Sequence, residues 1–331
     1  MSADKAINWG ILSTAKIGET AFIPSARTVA GAHVLAVASR DQTKAATFAH
    51  KHDIPVALGS YQALLDHEEI DAVYISLPNT MHAEWTIRAA EAGKHVFCEK
   101  PLAITAAECQ RMVDACQAAG VLLFEAFVFY HHPQNKRIRQ ILDAGEIGPL
   151  LHIDAGMTFT IKDPTNIRMI KDLGGGSIYD GGVYPITYSR FIAGADPISV
   201  QAIMRFDEAS GVDVWAALLM EYPGGVTSTV YCGFEGAGGP HARITGKSGK
   251  IVIASPYHPG KESSFDITAG QQARTEQFET GMPPFGPAIE FFQQCIGGDE
   301  TPAYMADLAR GTLRVVEAAF ESAKTGRRVD L

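Results

Sequence analysis

Residues 8–22 read "NWGILSTAKIGETAF". An apolar run ends at Leu12, small residues follow, and a helical pattern begins near Lys16. A strand feeding a tight turn and then a helix opens a dinucleotide-binding fold, where backbone N–H groups and the helix N-terminus meet the pyrophosphate. The familiar glycine spacing is G-x-G-x-x-G. Here the six positions are Ser13, Thr14, Ala15, Lys16, Ile17 and Gly18, so only the last is glycine. Ser13 and Ala15 are the smallest replacements available, and the hydroxyls of Ser13 and Thr14 can donate to phosphate. The turn is therefore read as a working phosphate site formed by Gly10, Ser13, Thr14, Ala15, Lys16 and Ile17. Gly18 is expected where the helix packs closely on the strand.

Working outward, the pattern repeats. "HVLAVAS", "DAVYISLP", "HVFCEKP" and "VLLFEAF" have buried-strand character, and amphipathic stretches separate them. Asp41 is placed to cap "DQTKAATFAHKHD", and Gly93 to end "HAEWTIRAAEAG". Pro24 is expected to bend or interrupt the first helix. Alternating strands and helices imply right-handed crossovers and a parallel sheet covered on both faces.

After "NKRIRQILDAGEIG" the character changes. Eight strand-like runs follow, from "LLHIDAGMTFT" to "ARTEQFE", with hairpin signals at Pro223-Gly224-Gly225 and Lys247–Lys250. Helices interrupt at "GGSIYDGGVYPITYSRFI" and close the chain at "DLARGTLRVVEAAFESAK". The expected fold is an α/β domain over residues 1–126 and an α+β domain with a large, mainly antiparallel sheet over residues 127–331.

Bulk properties narrow the function. The net charge of −9 argues against nucleic acid and anionic membrane as partners. No apolar run is long enough to span a bilayer, and the first residues carry no signal-peptide pattern. The five cysteines, Cys98, Cys109, Cys116, Cys232 and Cys295, show no metal or disulfide spacing. They read as buried reduced thiols of a cytoplasmic protein. His131 and His132 are adjacent but lack supporting carboxylate spacing, so no metal is expected.

Site residues cluster in four places. The second strand ends in Ser39-Arg40 where an NAD site usually carries a carboxylate. A hydroxyl and a guanidinium suit a 2′-phosphate, so NADP(H) is expected, with NAD(H) as the weaker alternative; Arg40 as a solvated helix-start residue remains open. "SLPNTMH" supplies Leu77, Pro78, Asn79 and His82 to line the nicotinamide and ribose. "CEKP" places Glu99 and Lys100 at the carboxyl end of a parallel strand, where ligands sit. "GGGSIYDGGVY" puts Asp180 and Tyr184 four apart, on one face of a helix. Its glycines permit close approach to a ligand or to the other domain. Arg168 and Phe127 are candidate substrate binders, the first for a hydroxyl or carboxylate and the second for a ring.

Taken together, "GILSTAKIG", "SRD", "GSYQALL", "SLPNTMHAEW", "AGKHVFCEKP" and "GGGSIYDGGVYPI" resemble the Gfo/Idh/MocA oxidoreductase family. The similarity is greatest to the branch of dimeric dihydrodiol dehydrogenases, NADP-dependent xylose dehydrogenases and glucose–fructose oxidoreductase. The resemblance implies a Rossmann domain followed by an open-faced sheet, often used for homodimerisation. It also implies Lys100, Asp180 and Tyr184 as the catalytic group. The expected activity is hydride transfer between NADP and the hydroxyl of a sugar or a cyclic diol. Tyr184 assisted by Lys100 is the favoured proton acceptor, with the reverse assignment open. A keto-sugar reductase and a non-catalytic NADP-binding sensor are the alternatives.

Overall fold

The computed structural model describes residues 6–298 and 305–331. The chain divides into two compact units.

The first unit comprises Met1–Ala103, Ala107–Val128 and Met282–Asp307. Its sheet holds β1 (Ile7–Leu12), β2 (Ala32–Ala38), β3 (Val56–Leu58), β4 (Ala72–Ile75), β5 (His95–Cys98) and β6 (Leu123–Glu125). The order is β3-β2-β1-β4-β5-β6 and every pairing is parallel. That reversal beside β1 is the topological switch point at which open α/β sheets bind dinucleotides. The central strands β1, β4 and β5 are largely buried on both faces and so read as continuous apolar runs. β3 has only three residues, too few to leave a pattern in the sequence.

An aromatic cluster fills the core. Phe22 stacks on Tyr74 with centroids 4.0 Å apart, and Trp9 meets Phe22 edge-on at 5.2 Å. Phe292 closes the cluster, 5.3 Å from Trp9 and 5.0 Å from Phe124. It lies on a helix, Gly286–Gly297, that the sequence reading assigned to the second domain. Phe285, Ala288, Ile289 and Phe292 are buried with Trp9 and Phe97. The apolar face of that helix therefore places it with the first sheet, whatever its position along the chain.

The second unit comprises Ile104–Ala106, Phe129–Gly281 and Leu308–Leu331. Among the described residues its nine strands are β7 (Leu150–Thr160), β8 (Ser199–Phe206), β9 (Asp213–Glu221), β10 (Thr227–Gly233), β11 (Glu235–Gly246), β12 (Gly249–Ile253), β13 (Glu262–Ala269), β14 (Gln272–Glu279) and β15 (Val329–Asp330). The order is β14-β13-β12-β11-β7-β10-β9-β8-β15. Hairpins make most pairings antiparallel, as the turn residues predict. β7 and β10 instead run parallel, with Ala155 opposite Val230. The chain leaves β7 for the helix Val183–Ala193, which packs on β7 and β10, and returns at the far edge through β8 and β9.

The opposite face of this sheet is open. Register aligns Ile203, Ala217, Tyr231, Gly156 and His241 across five strands. Ile203 is 77% exposed and Leu219, two residues along from Ala217, is 50% exposed. No helix among the described residues is long and apolar enough to cross a membrane.

Candidate active site

The phosphate turn departs from the glycine pattern yet keeps its conformation. Ser13 adopts φ +117°, in the left-handed region that favours glycine. Its N–H donates to Ala38 O at 3.0 Å, and its hydroxyl accepts from Ala15 N at 2.9 Å. The side chain thus holds the turn that a glycine would merely permit. Thr14 and Ala15 are half-buried, while Lys16 and Ile17 are exposed at the start of the helix. The first N–H groups of a helix lack intrahelical acceptors, so the turn fits a dinucleotide pyrophosphate.

The glycines serve differently from the expectation. A Cβ at Gly18 would meet Tyr74 and Ile11 only at 3.8 and 3.9 Å, which is ordinary contact. Close packing falls at Gly10, where a Cβ would sit 2.5 Å from Leu64 Cδ2. The irregularity near Pro24 is a π turn over Gly18–Phe22, directly before the α segment Ile23–Ala26. Such turns recur at functional sites.

At the end of β2, Ser39 is buried and its hydroxyl accepts from Asp41 N at 3.3 Å. Asp41 caps the next helix, taking Thr43 N at 2.8 Å and Lys44 N at 3.1 Å on one oxygen. That carboxylate is committed to the cap. Arg40 is exposed and its guanidinium faces Tyr61. Burial raises the Tyr61 hydroxyl above the usual tyrosine range, and Arg40 opposes the rise.

His82, expected as a cofactor contact, staples two backbone segments together. It is fully buried, with Nδ1 2.8 Å from Pro101 O and Nε2 2.9 Å from Leu77 O. It ties the Leu77–Asn79 loop to the Glu99–Pro101 turn, and burial pushes its pKa down. Leu77 is buried, and Pro78 and Asn79 are half-buried. Glu99 accepts from Tyr74 OH at 2.5 Å, and Glu125 accepts from Leu102 N at 2.8 Å. These buried bonds fix the backbone on either side of Lys100, which is half-buried.

The second unit holds the other predicted residues. Ile178–Gly182 is again a π turn, continued by the helix Val183–Ala193. Asp180 sits in the turn and Tyr184 at the start of the helix. Asp180 Oδ2 accepts from Arg168 Nε at 2.7 Å, so two candidates meet directly. The Tyr184 hydroxyl lies 2.7 Å from His258 Nε2, and its ring stacks on Tyr257 at 5.6 Å.

The segment is anchored from beneath. Asp213 Oδ2 accepts from Ser177 Oγ at 2.6 Å and from Ile178 N at 2.8 Å. Burial raises Asp213 to about 6 against these hydrogen bonds. The glycines before the segment make intramolecular approaches. A Cβ at Gly176 would fall 2.2 Å from Asp213 Oδ1, and one at Gly175 would fall 2.5 Å from Arg168 O.

Phe127, expected to wall a ring-shaped substrate, is 1% exposed and belongs to the core. Conversely, the sequence reading missed His258 and Asp213. His258 stands in "SPYHPG", a proline-bracketed loop with no periodicity. A histidine there, between two strands of a hairpin, was the only signal. Among the described residues no cluster suits a metal ion.

Comparison with known proteins agrees with both halves. Residues 7–127 match the model of the oxidoreductase family with an NAD-binding Rossmann fold. Residues 135–252 match the GFO/IDH/MocA C-terminal domain. The D-xylose 1-dehydrogenase (NADP(+)) 2 of Haloferax volcanii is 34% identical over 98% of this chain and 99% of its own. The trans-1,2-dihydrobenzene-1,2-diol dehydrogenase of Xenopus tropicalis is 32% identical over 90% of this chain and 92% of its own. The crystal structure of aldose-aldose oxidoreductase from Caulobacter crescentus, complexed with glycerol, superposes with a TM-score of 0.91 at 26% identity, over 98% of this chain and 99% of that one. The chain belongs to the Gfo/Idh/MocA family of NAD(P)-dependent oxidoreductases.

Proposed function

We propose that the protein is an NADP-dependent dehydrogenase that oxidises a hydroxyl of an aldose such as D-xylose, with cyclic diols as the second substrate class. The observation that carries this reading is the pair of polar contacts on one short segment, Arg168 to Asp180 and Tyr184 to His258, in a chain aligned end to end with a D-xylose dehydrogenase.

Ser13, Thr14, Ala15, Lys16 and Ile17 would hold the pyrophosphate, and Ser39 and Arg40 the 2′-phosphate. Pro78, Asn79 and the backbone around Glu99 would flank the nicotinamide. Ser39 and Arg40 at the end of β2, with the Asp41 side chain turned to its helix cap, support NADP over NAD. When bound, the cofactor supplies the hydride acceptor.

The protein must then take the hydroxyl proton. Tyr184 receives it, and the Lys100 ammonium favours the phenolate and the developing alkoxide. Asp180, held by Arg168, orients a neighbouring substrate hydroxyl. The same residues serve the reverse reaction on the corresponding carbonyl product, a lactone or a keto sugar. The five buried free cysteines support a reducing, cytoplasmic location. The open sheet face with Ile203 and Leu219 supports a homodimer formed through that sheet.

The test is an NADP+-linked screen of aldoses, sugar acids and cyclic diols, with NADPH and ketoses in reverse. Turnover of D-xylose or a related aldose is expected, and Lys100→Met should lower kcat by about 10²–10⁴-fold while changing NADP affinity less. Absence of turnover with all three classes in both directions, or near-normal kcat in Lys100→Met, would overturn the reading.

A further inference from the structure

His258 stands 74 positions from Tyr184 in sequence, yet its Nε2 is 2.7 Å from the phenol oxygen. The imidazole meets the phenol ring edge-on, with centroids 4.6 Å apart. The loop between β12 and β13 that carries it is held by three buried side chains at the start of the helix Pro133–Asp143. His132 Nε2–H donates to Gly260 O at 3.2 Å. Gln134 Nε2 donates to Ser255 O at 3.2 Å, and Asn135 Nδ2 donates to Pro256 O at 2.9 Å. The tautomer of His132 follows from its Nδ1, which accepts from Gln134 N.

The same clamp reaches the tyrosine helix. Asn135 Oδ1 accepts from Tyr188 OH at 3.0 Å, one helical turn after Tyr184. Tyr257, next to His258, stacks on Tyr184 and meets Tyr188 edge-on, each at 5.6 Å. Burying polar groups is costly unless they are paired, and the Asn135 amide is bonded through both Nδ2 and Oδ1. Here the pairing fixes one imidazole against one hydroxyl. The sequence "HHPQN" (131–135), which carries no metal spacing, is thereby given a role.

We infer that His258 is the proton-accepting partner of Tyr184, taking the phenol's own proton as the phenol takes that of the substrate. The inference rests on the assignment of proton transfer to Tyr184. A phenol in water ionises near pH 10, so only about one in a thousand is anionic at neutral pH. A relay removes the need for a standing phenolate. The substrate O–H bond breaks as a new bond forms to Tyr184 Oη. The original Oη–H bond breaks as N–H forms at His258 Nε2. The carbon's hydride leaves with its electron pair to the oxidised cofactor, and a carbonyl results. The half-buried imidazolium then returns its proton to water.

Five proteins test this with NADP+ and D-xylose, or the fastest substrate of the screen above: wild type, His258→Phe, His258→Gln, Tyr184→Phe and the Tyr184→Phe/His258→Phe double variant. His258→Phe should lower kcat by about 10²–10⁴-fold with KM changed far less. His258→Gln, which keeps a hydrogen-bonding group but cannot accept a proton, should recover less than a tenfold share of the loss. In the Tyr184→Phe background, His258→Phe should cost nothing more. A second readout needs no turnover: the ¹⁵N resonance of His258 Nε2 should move in Tyr184→Phe. Near-wild-type kcat in both His258 variants, full rescue by glutamine, additive losses in the double variant, or an unmoved resonance would each overturn the relay. Near-normal kcat in Tyr184→Phe alone would instead sink the underlying assignment, and the relay with it.

Discussion

Ser177 donates its hydroxyl to Asp213 across 2.6 Å, and the adjoining Ile178 N–H donates to the same oxygen. This buried carboxyl pins the start of the segment that carries Asp180 and Tyr184. Its pKa is raised to about 6 by burial, whereas the unfolded chain ionises an aspartate near 3.9. Between those values the folded protein holds the proton and the unfolded chain has lost it. Stability from this group is therefore greatest below about pH 4 and declines as pH rises to 6, by about 3 kcal/mol. Asp213→Asn should flatten that part of the curve of melting temperature against pH. An unchanged slope between pH 4 and 6 would show that Asp213 titrates normally.

The Arg168–Asp180 bond joins two candidates at a partly exposed position. Removing one partner of such a charge-assisted bond costs about 0.5–1.5 kcal/mol. Arg168→Ala should raise KM about three- to tenfold, with a smaller effect on kcat. A kcat loss exceeding the KM change would assign Arg168 to the chemical step.

Cofactor preference depends on Arg40. Losing a hydrogen bond to a charged group costs about 1.5–3 kcal/mol, so Arg40→Ala should weaken NADP+ binding roughly 10- to 150-fold and leave NAD+ nearly unchanged. Calorimetric titration with both dinucleotides decides. Parallel weakening of the two would remove the 2′-phosphate role.

The phosphate turn offers a paired comparison. Ser13→Ala keeps the unfavourable φ and loses the bond to Ala15 N; a loss of about 1 kcal/mol is expected. Ser13→Gly loses the same bond but relieves a backbone strain of about 1–2 kcal/mol, and should be near neutral. Chemical denaturation of both variants is the measurement, and equal losses would mean that the turn is unstrained.

Much of this was legible along the chain because local chemistry wrote it there. Apolar runs marked β1, β2, β4, β5 and β6, the Asp41 cap marked a helix start, and Pro223-Gly224-Gly225 marked the turn between β9 and β10. Asp180 and Arg168 were each legible as candidates, while the bond between them was not. What stayed hidden depends on contacts between distant segments. His82 looked like a loop residue until its two ring nitrogens met Leu77 and Pro101. His258 had no pattern because its place is set by the side chains of His132, Gln134 and Asn135, far upstream. Phe127 offered a ring, and only burial could say that the ring faces the core.

The helix Gly286–Gly297 completes the aromatic cluster of a sheet whose last strand ends at Glu125. A growing polypeptide therefore leaves the ribosome with all six strands of that sheet synthesised and the Phe292 plug still about 165 codons away. At synthesis rates of about 5–20 residues per second, the Trp9–Phe97–Phe124 surface waits many seconds for its cover. A fragment ending at Val128 would inherit that exposure permanently, and should be produced as an aggregating species.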